Sequence, residues 1–219
     1  MPAKGQGPFA TFLIVGPTCF FLGMLLAQFP YDYNVLWTTP PVLEAGVNPR
    51  DVYFALQETH LKFIHASPPL ISRILHIVIG VGILGFMLKL FKPSEANMLF
   101  DGASLVLYMV GITVYIANIV KGLRTVTMGA YGTKELGKED TLVDKALEGT
   151  EGQYIGREDT LRVLSASNTI LALVLVGVLI LQAGQWYAER KEAEEIEEIN
   201  KRDEEKKGKA GGKEGKKKQ

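Results

Sequence analysis

The sequence predicts an all-α integral membrane protein, a bundle of four transmembrane helices followed by a charged C-terminal tail. Four apolar segments are each long enough, at about 20 residues, to cross a hydrocarbon core of about 30 Å. A backbone in lipid must satisfy its own hydrogen bonds, which favours helices over strands. The charges are segregated, since 21 of the 48 charged residues lie in the last 32 of 219 positions.

Averages over the whole chain hide this division. The 24 basic and 24 acidic residues cancel, and the mean hydropathy of +0.12 is typical of one soluble domain. Zero net charge argues against a basic nucleic-acid-binding protein. The single cysteine, Cys19, excludes an intramolecular disulfide and a multi-cysteine metal site. We therefore divide the chain into a membrane domain, residues 1–187, and a tail, residues 188–219.

The first two spans are predicted at about residues 9–29 and 70–90. The first carries no charge, is too long for a cleavable signal peptide and lacks a following A-x-A site, so we expect it to remain as a helix. The second has charged or titratable residues only near its ends, at Arg73, His76 and Lys89. Arg73 and His76, one helical turn apart, are predicted to reach the headgroups.

The third and fourth spans, about 103–120 and 163–187, are uncharged. Aromatic residues typical of membrane interfaces follow the first span and close the fourth: Tyr31, Tyr33, Trp37, Trp186 and Tyr187. An even number of spans places both termini on one side of the membrane. Basic residues flank the spans on both sides of the membrane, however, so their distribution does not predict which side carries the termini.

Three loops join the spans. In the first, Asp51–His65 is predicted as a helix on the membrane surface, begun by Asn48-Pro49. Its apolar residues on one side are Val52, Leu56 and Phe63. The second loop, about 91–102, is short, and the third, about 121–162, is polar and predicted to be irregular.

The tail divides into two parts. Ala188–Glu205 is predicted as a charged helix that continues the fourth span, with oppositely charged i,i+4 pairs: Glu197–Lys201 and Glu198–Arg202. Lys206–Gln219 is rich in lysine and glycine and is predicted to be disordered. Lys216 and Lys217, fourth and third from the end, resemble a dilysine retrieval signal. An equally good interpretation is a basic C-terminus without a specific signal, which can contact anionic lipid.

Glycines within the spans are candidate packing sites. Gly80–Gly85 matches G-x-G-x-x-G, but its place inside an apolar span predicts helix packing rather than a dinucleotide fingerprint. Two pairs seven residues apart, Gly16/Gly23 and Gly177/Gly184, each lie on one helix face. They are predicted to allow close approach of helices, within the protein or against a client helix.

The predicted spans contain no Asp or Glu, which argues against a proton- or ion-coupled transporter. Their main neutral polar side chains are Asn118, Asn168 and Gln182. Such groups hydrogen-bond between helices of one bundle or recognise exposed polar groups of another membrane protein, and both interpretations stay open.

Catalytic chemistry has little support in the sequence. It shows no nucleophile–base pair, metal cluster or phosphate-binding loop, and only Glu58, His60 and His65 are faint candidates. We therefore predict that the protein is not an enzyme and uses no metal and no cofactor.

Several strings of the sequence are specific. They are Pro30-Tyr31-Asp32-Tyr33-Asn34 after the first span, Leu99-Phe100-Asp101 and Ser104–Tyr108 entering the third, and Ala166-Ser167-Asn168 and Gly177–Tyr187 in the fourth. In order and spacing the chain resembles the fungal endoplasmic-reticulum packaging chaperones of amino-acid permeases, over about residues 9–190. The tail matches this family only in character, and the third loop is longer than its pattern.

This resemblance implies residence in the endoplasmic reticulum with both termini cytosolic. It implies a chaperone that assists folding of amino-acid permeases and, through its cytosolic tail, recruits COPII coat components for their export. The first alternative is an auxiliary subunit of a small membrane transporter, which would need a polar cavity at mid-bilayer. The second is a membrane-embedded enzyme, which would need clustered His, Asp or Glu.

The Pro30–Asn34 motif is predicted to form a non-helical exit from the first span. Pro30 would end the helix, and the two tyrosines would anchor at the interface. Asp32 is expected to cap a helix, form a turn or contact clients.

Overall fold

The computed structural model of the protein describes residues 6–38, 49–91, 95–131 and 156–214. All regular secondary structure in these residues is helical. The helices are α1 (Gln6–Leu36), α2 (Asp51–His65), α3 (Pro69–Leu90), α4 (Glu95–Val114), a π-helical segment (Tyr115–Val120), α5 (Lys121–Met128) and α6 (Arg157–Glu214). Four stretches are long and apolar enough to cross a membrane: Phe9–Leu36, Pro69–Leu90, Met98–Met128 and Arg157–Arg202. The predicted all-α membrane bundle is confirmed.

Close contacts at glycines show which helices are neighbours and in which direction they run. Helices α4 and α6 run antiparallel, and their contacts pair Phe100 with Gly184, Leu107 with Gly177, Gly111 with Leu171 and Gly122 with Leu164. Gly85 of α3 lies against Ile14 of α1, and Gly82 against Tyr108 of α4. The start of α1 and the end of α3 therefore lie at one end of the bundle, here called the termini face. The other end is called the opposite face.

Two apolar clusters form the core. The larger lies between α1, α3, α4 and α6 and consists of Ile14, Phe21, Phe86, Tyr108, Leu171, Leu175 and Val178. The smaller joins α2 to the opposite face and consists of Val35, Phe54, Leu61, Val126, Leu161 and Leu164. Since lipid tails are as apolar as these side chains, close packing rather than exclusion of water stabilises the larger cluster.

Helix α1 continues through Pro30 to Leu36, with Pro17 and Pro30 both inside it. The prediction that Pro30 ends this helix and opens a non-helical exit is therefore wrong. Proline is tolerated in membrane helices because neighbouring groups satisfy the freed backbone. The Asn34 amide also donates to the carbonyl of Pro30 at 3.0 Å, which ties this last turn together.

Helix α2 has the predicted bounds, although it begins after Arg50 and Asn48 lies outside the described residues. Its inner face buries Phe54, Gln57 and Leu61 against the bundle. The predicted apolar face is exposed, with Val52, Leu56 and Phe63 pointing away from the core. Tertiary packing thus uses the face that the apolar pattern did not mark.

The connections are more helical than predicted. Residues 95–101, placed in the second loop, form the start of α4, and residues 121–128 of the third loop form α5. Helix α6 extends to Glu214, beyond Glu205, where we predicted the tail helix to end. The predicted irregular stretch 132–155 and the end of the tail, 215–219, lie outside the described residues.

Candidate functional site

Two aspartates are buried inside the membrane bundle. Asp32 lies within Phe9–Leu36 and Asp101 within Met98–Met128, and each is only 1% exposed. Both fall just beyond the spans predicted from hydropathy, so the expectation of spans free of acidic residues is wrong. A charge at this depth is costly unless it is paired.

The Lys89 cluster lies near the termini face and consists of Lys89, Asp101, Ser104, Gln182 and Gln185. The Lys89 ammonium is 3.1 Å from Asp101 Oδ1. It also donates to the amide oxygens of Gln182 and Gln185, each at 2.8 Å. The Lys89 side chain is 9% exposed, so it turns into the bundle and not towards the headgroups.

The two glutamines of the Lys89 cluster complete its hydrogen bonds. The Gln182 amide donates to Asp101 Oδ1 and to Ser104 Oγ, both at 3.1 Å. The Gln185 amide donates to Asp101 Oδ2 at 2.8 Å. Each glutamine accepts from the cation and donates to the anion, so the cluster joins α3, α4 and α6 without an unpaired charge.

The Asp32 cluster lies near the opposite face and consists of Asp32, Gln57, Ser165 and Asn168. The amides of Gln57 and Asn168 donate to the two Asp32 oxygens, each at 3.0 Å. Gln57 also donates to Ser165 Oγ at 2.5 Å. Asp32 therefore joins α1, α2 and α6 inside the fold. It neither caps a helix nor forms a turn, and it is not exposed to clients here.

Four of the five residues predicted to contact clients or pack helices lie inside the bundle. Asn168 and Gln182 are buried in the two clusters, and Gly177 and Gly184 contact Leu107 and Phe100. A side chain at Gly16 or Gly23 would instead meet open space. Asn168, Gln182, Gly177 and Gly184 therefore stabilise the bundle by packing and hydrogen bonds inside it.

Asn118, the fifth, is exposed on the π-helical segment. Its amide nitrogen donates to Ser167 Oγ at 3.1 Å, and that hydroxyl donates to the Val163 carbonyl at 2.8 Å. The side-chain oxygen of Asn118, Oδ1, has no donor among the described residues. A π-helical turn inside an α-helix often marks a functional position. Nothing in the local sequence predicted it.

The Pro30–Asn34 motif has two sides. Tyr31 stacks on His60 of α2, with ring centroids 3.9 Å apart, and burial lowers the pKa of His60. Tyr33 is exposed and packs against Phe29 and Trp37. One tyrosine thus fixes α2, and the other joins an exposed aromatic patch.

An ionic network outside the bundle core holds α2 to the start of α6. Arg157 contacts Glu58 at 2.6 Å and Asp51 at 2.7 Å, and Lys62 contacts Glu58 at 2.6 Å. Partial burial raises the pKa of Glu58, but hydrogen bonds from Lys62 and Arg157 and their charges outweigh this. The net pKa lies below the usual 4.5. Glu58 therefore has a structural role, and the described residues contain no group of three His, Cys, Asp or Glu that could hold a metal.

Comparison with known proteins identifies similar sequences. Residues 5–219 match the SHR3 chaperone family, described as ER membrane protein SH3. The chain is 20% identical over 200 residues to the secretory component protein psh3 of Schizosaccharomyces pombe, a match that covers 88% of this chain and 79% of that protein. No solved structure matches.

Proposed function

Since the chain belongs to the SHR3 chaperone family of endoplasmic-reticulum membrane proteins, we propose that it assists the folding of amino-acid permeases and promotes their packaging into COPII vesicles. The motif strings at Pro30–Asn34 and Gly177–Tyr187 support permeases as clients. In this proposal the protein performs no catalysis, and both termini face the cytosol.

The observation that carries the chaperone proposal is the exposed amide of Asn118. A partly made permease exposes polar groups to lipid, because the helices that will pair with them are still missing, and lipid cannot satisfy those groups. Asn118 offers a carbonyl acceptor on the outer surface of the bundle. Hydrogen bonds between membrane helices contribute about 0.6–1.7 kcal/mol each, weak enough for native helices to displace the chaperone.

The tail supports the packaging part of the proposal. From Glu189 to Arg202 the α6 helix is exposed and highly charged, with pairs such as Arg190–Glu194 along its surface. Such a helix is available to coat components in the cytosol. Lys216 and Lys217 lie outside the described residues, and their use as a retrieval signal stays a prediction. Replacing both by Ser should then move the protein out of the endoplasmic reticulum, and unchanged localisation would contradict it.

Deletion of the gene tests the proposal directly. Tagged amino-acid permeases should be retained in the endoplasmic reticulum while other cargo is exported normally, as followed by microscopy. Normal permease trafficking in the deletion strain would refute the function. Returning the Asn118→Leu variant should restore export only in part, whereas Leu173→Ile, at an exposed apolar position of α6, should restore it fully.

A further inference from the structure

Helix α3 lacks neighbours over its first turns. Every residue from Pro68 to Ile74 is exposed, whereas Gly82, Gly85 and Phe86 farther along are buried. A helix packed in a bundle buries one face, so this stretch of nearly two turns stands away from the described bundle. A cleft therefore opens between α3 and the α4–π segment, on the half of the bundle nearer the opposite face.

The cleft has apolar walls and floor. Ile79 of α3 forms one wall, and Ile112 and Tyr115 form the other. Its floor lies deep in the bundle, at Phe21 and Leu171. The cavity volume is about 20 Å³, and the space is open at the side, so the tip of an apolar side chain from a molecule within the membrane can reach into it.

Two polar groups, on His76 and Tyr115, lie close to this apolar space without lining it. The His76 ring lies against the Tyr115 ring, with centroids 6.2 Å apart. His76 Nδ1 lies 2.6 Å from the carbonyl oxygen of Ser72, so Nδ1 carries the hydrogen and donates it to that oxygen, and in this neutral tautomer Nε2 is an acceptor. Neither Nε2 nor the Tyr115 hydroxyl has a hydrogen-bond partner among the described residues.

The depth of these groups decides between two occupants, a lipid chain and a protein helix. His76 lies seven residues after Pro69, about 10 Å along a helix that crosses a hydrocarbon core of about 30 Å. A lipid chain would fill the space but leave Nε2 and the hydroxyl unsatisfied. A transmembrane helix with a hydroxyl or amide side chain would satisfy both.

We propose that the cleft between α3 and the α4–π segment receives one transmembrane helix of an incompletely folded client, whose Ser, Thr, Asn or Gln side chain hydrogen-bonds to His76 and Tyr115. The tip of an apolar side chain of the same helix enters the cavity. This inference rests on the proposed chaperone function and names its binding site. Arg73, exposed near the same end of α3, remains free to reach headgroups.

Site-specific photo-crosslinking in membranes that synthesise a permease tests the site. At 100° per residue, Ser72 lies within about 60° of His76, whereas Ile74 points about 160° away; both are exposed. A photoreactive residue at Ser72 should capture the nascent permease, and the same residue at Ile74 should capture mainly lipid. Equal capture at both positions, or only lipid at Ser72, would overturn the proposal.

Two variants measure the contacts themselves. Tyr115→Phe keeps the ring and removes the hydroxyl, and should lower permease capture by about threefold to twentyfold. Gly80 is four residues after His76 and so lies within about 40° of it around α3. Gly80→Leu places a side chain in open space on that side and should lower capture, whereas Gly102→Leu, also in open space, should not. Unchanged capture in both test variants would refute the site. Normal permease export after gene deletion would instead refute the chaperone function, so the two failures are distinguishable.

Discussion

The buried ion pair between Lys89 and Asp101 allows a quantitative test of the bundle. Replacing Lys89 by Met keeps a flexible apolar side chain and removes the charge. Asp101, 1% exposed, then keeps amide donors from Gln182 and Gln185 but loses its cation. The two glutamines lose the donor to their carbonyl oxygens at the same time.

The expected loss is large. Removing one partner of a buried ion pair destabilises a protein by about 3–5 kcal/mol, because the remaining charge is left desolvated and uncompensated. In a chain of this size 1 kcal/mol changes the melting temperature by about 2–4 °C, so Lys89→Met should lower it by about 6–20 °C.

Thermal unfolding of the full chain in detergent micelles measures this loss. The fluorescence of Trp37 and Trp186, together with the monodisperse fraction in gel filtration, reports the folded protein. Lys201→Met is the matched control, because its pair with Glu197 is on the surface, with Lys201 68% exposed. Such exposed pairs contribute little, and this variant should melt as the parent does.

A second variant separates the charge from the packing. Lys89→Met with Asp101→Asn carries no buried charge and should recover much of the lost stability, since an isolated carboxylate no longer remains. If Lys89→Met melts within about 2 °C of the Lys201→Met control, the ion pair does not stabilise the bundle and the reasoning fails.

Three further predictions concern other parts of the fold. Gly82→Ala should destabilise the bundle by about 1–3 kcal/mol through a clash with a packed tyrosine ring, whereas Gly16→Ala, in open space, should not lower the melting temperature. Asn168→Leu should reduce both melting temperature and cellular abundance, because one oxygen of the buried Asp32 loses its donor; unchanged values would contradict the role of this cluster. The folded-state pKa of Glu58 is lowered, so its stabilisation is present above its unfolded value, near 4.5, and is lost as pH falls through the lower folded value. Acidification from pH 6 to pH 3 should therefore lower the melting temperature less in Glu58→Gln than in the parent.

The spans and α2 could be predicted because their signals are local. Apolar runs depend on neighbours along the chain, and the i,i+4 tail pairs Glu197–Lys201 and Glu198–Arg202 follow from spacing alone. The resemblance to the chaperone family likewise rests on local strings, and the family match over residues 5–219 confirms it.

The buried polar clusters could not be predicted, because their members are far apart in the chain. Asp101 binds Lys89 and Gln185, and Asp32 binds Gln57 and Asn168. A single sequence does not show which of these distant residues come into contact. Hydropathy ends the first span before Asp32 and begins the third after Asp101, since a charge usually marks the membrane boundary. The sequence marks Asn168 and Gln182 as candidates, but without their acidic partners it does not decide between hydrogen bonds inside the bundle and recognition of a client.

The uninterrupted length of α6 has a mechanical consequence. The same helix that binds Asp32 and Lys89 inside the bundle runs from Arg157 to Glu214, so no hinge separates its buried part from its exposed end. The 27 residues beyond Tyr187 form a rod of about 40 Å at 1.5 Å per residue. A tilt of about 10° within the bundle would sweep the far end of this rod by about 7 Å. Small rearrangements among membrane helices are thereby amplified into a displacement that a protein at the end of the rod can detect.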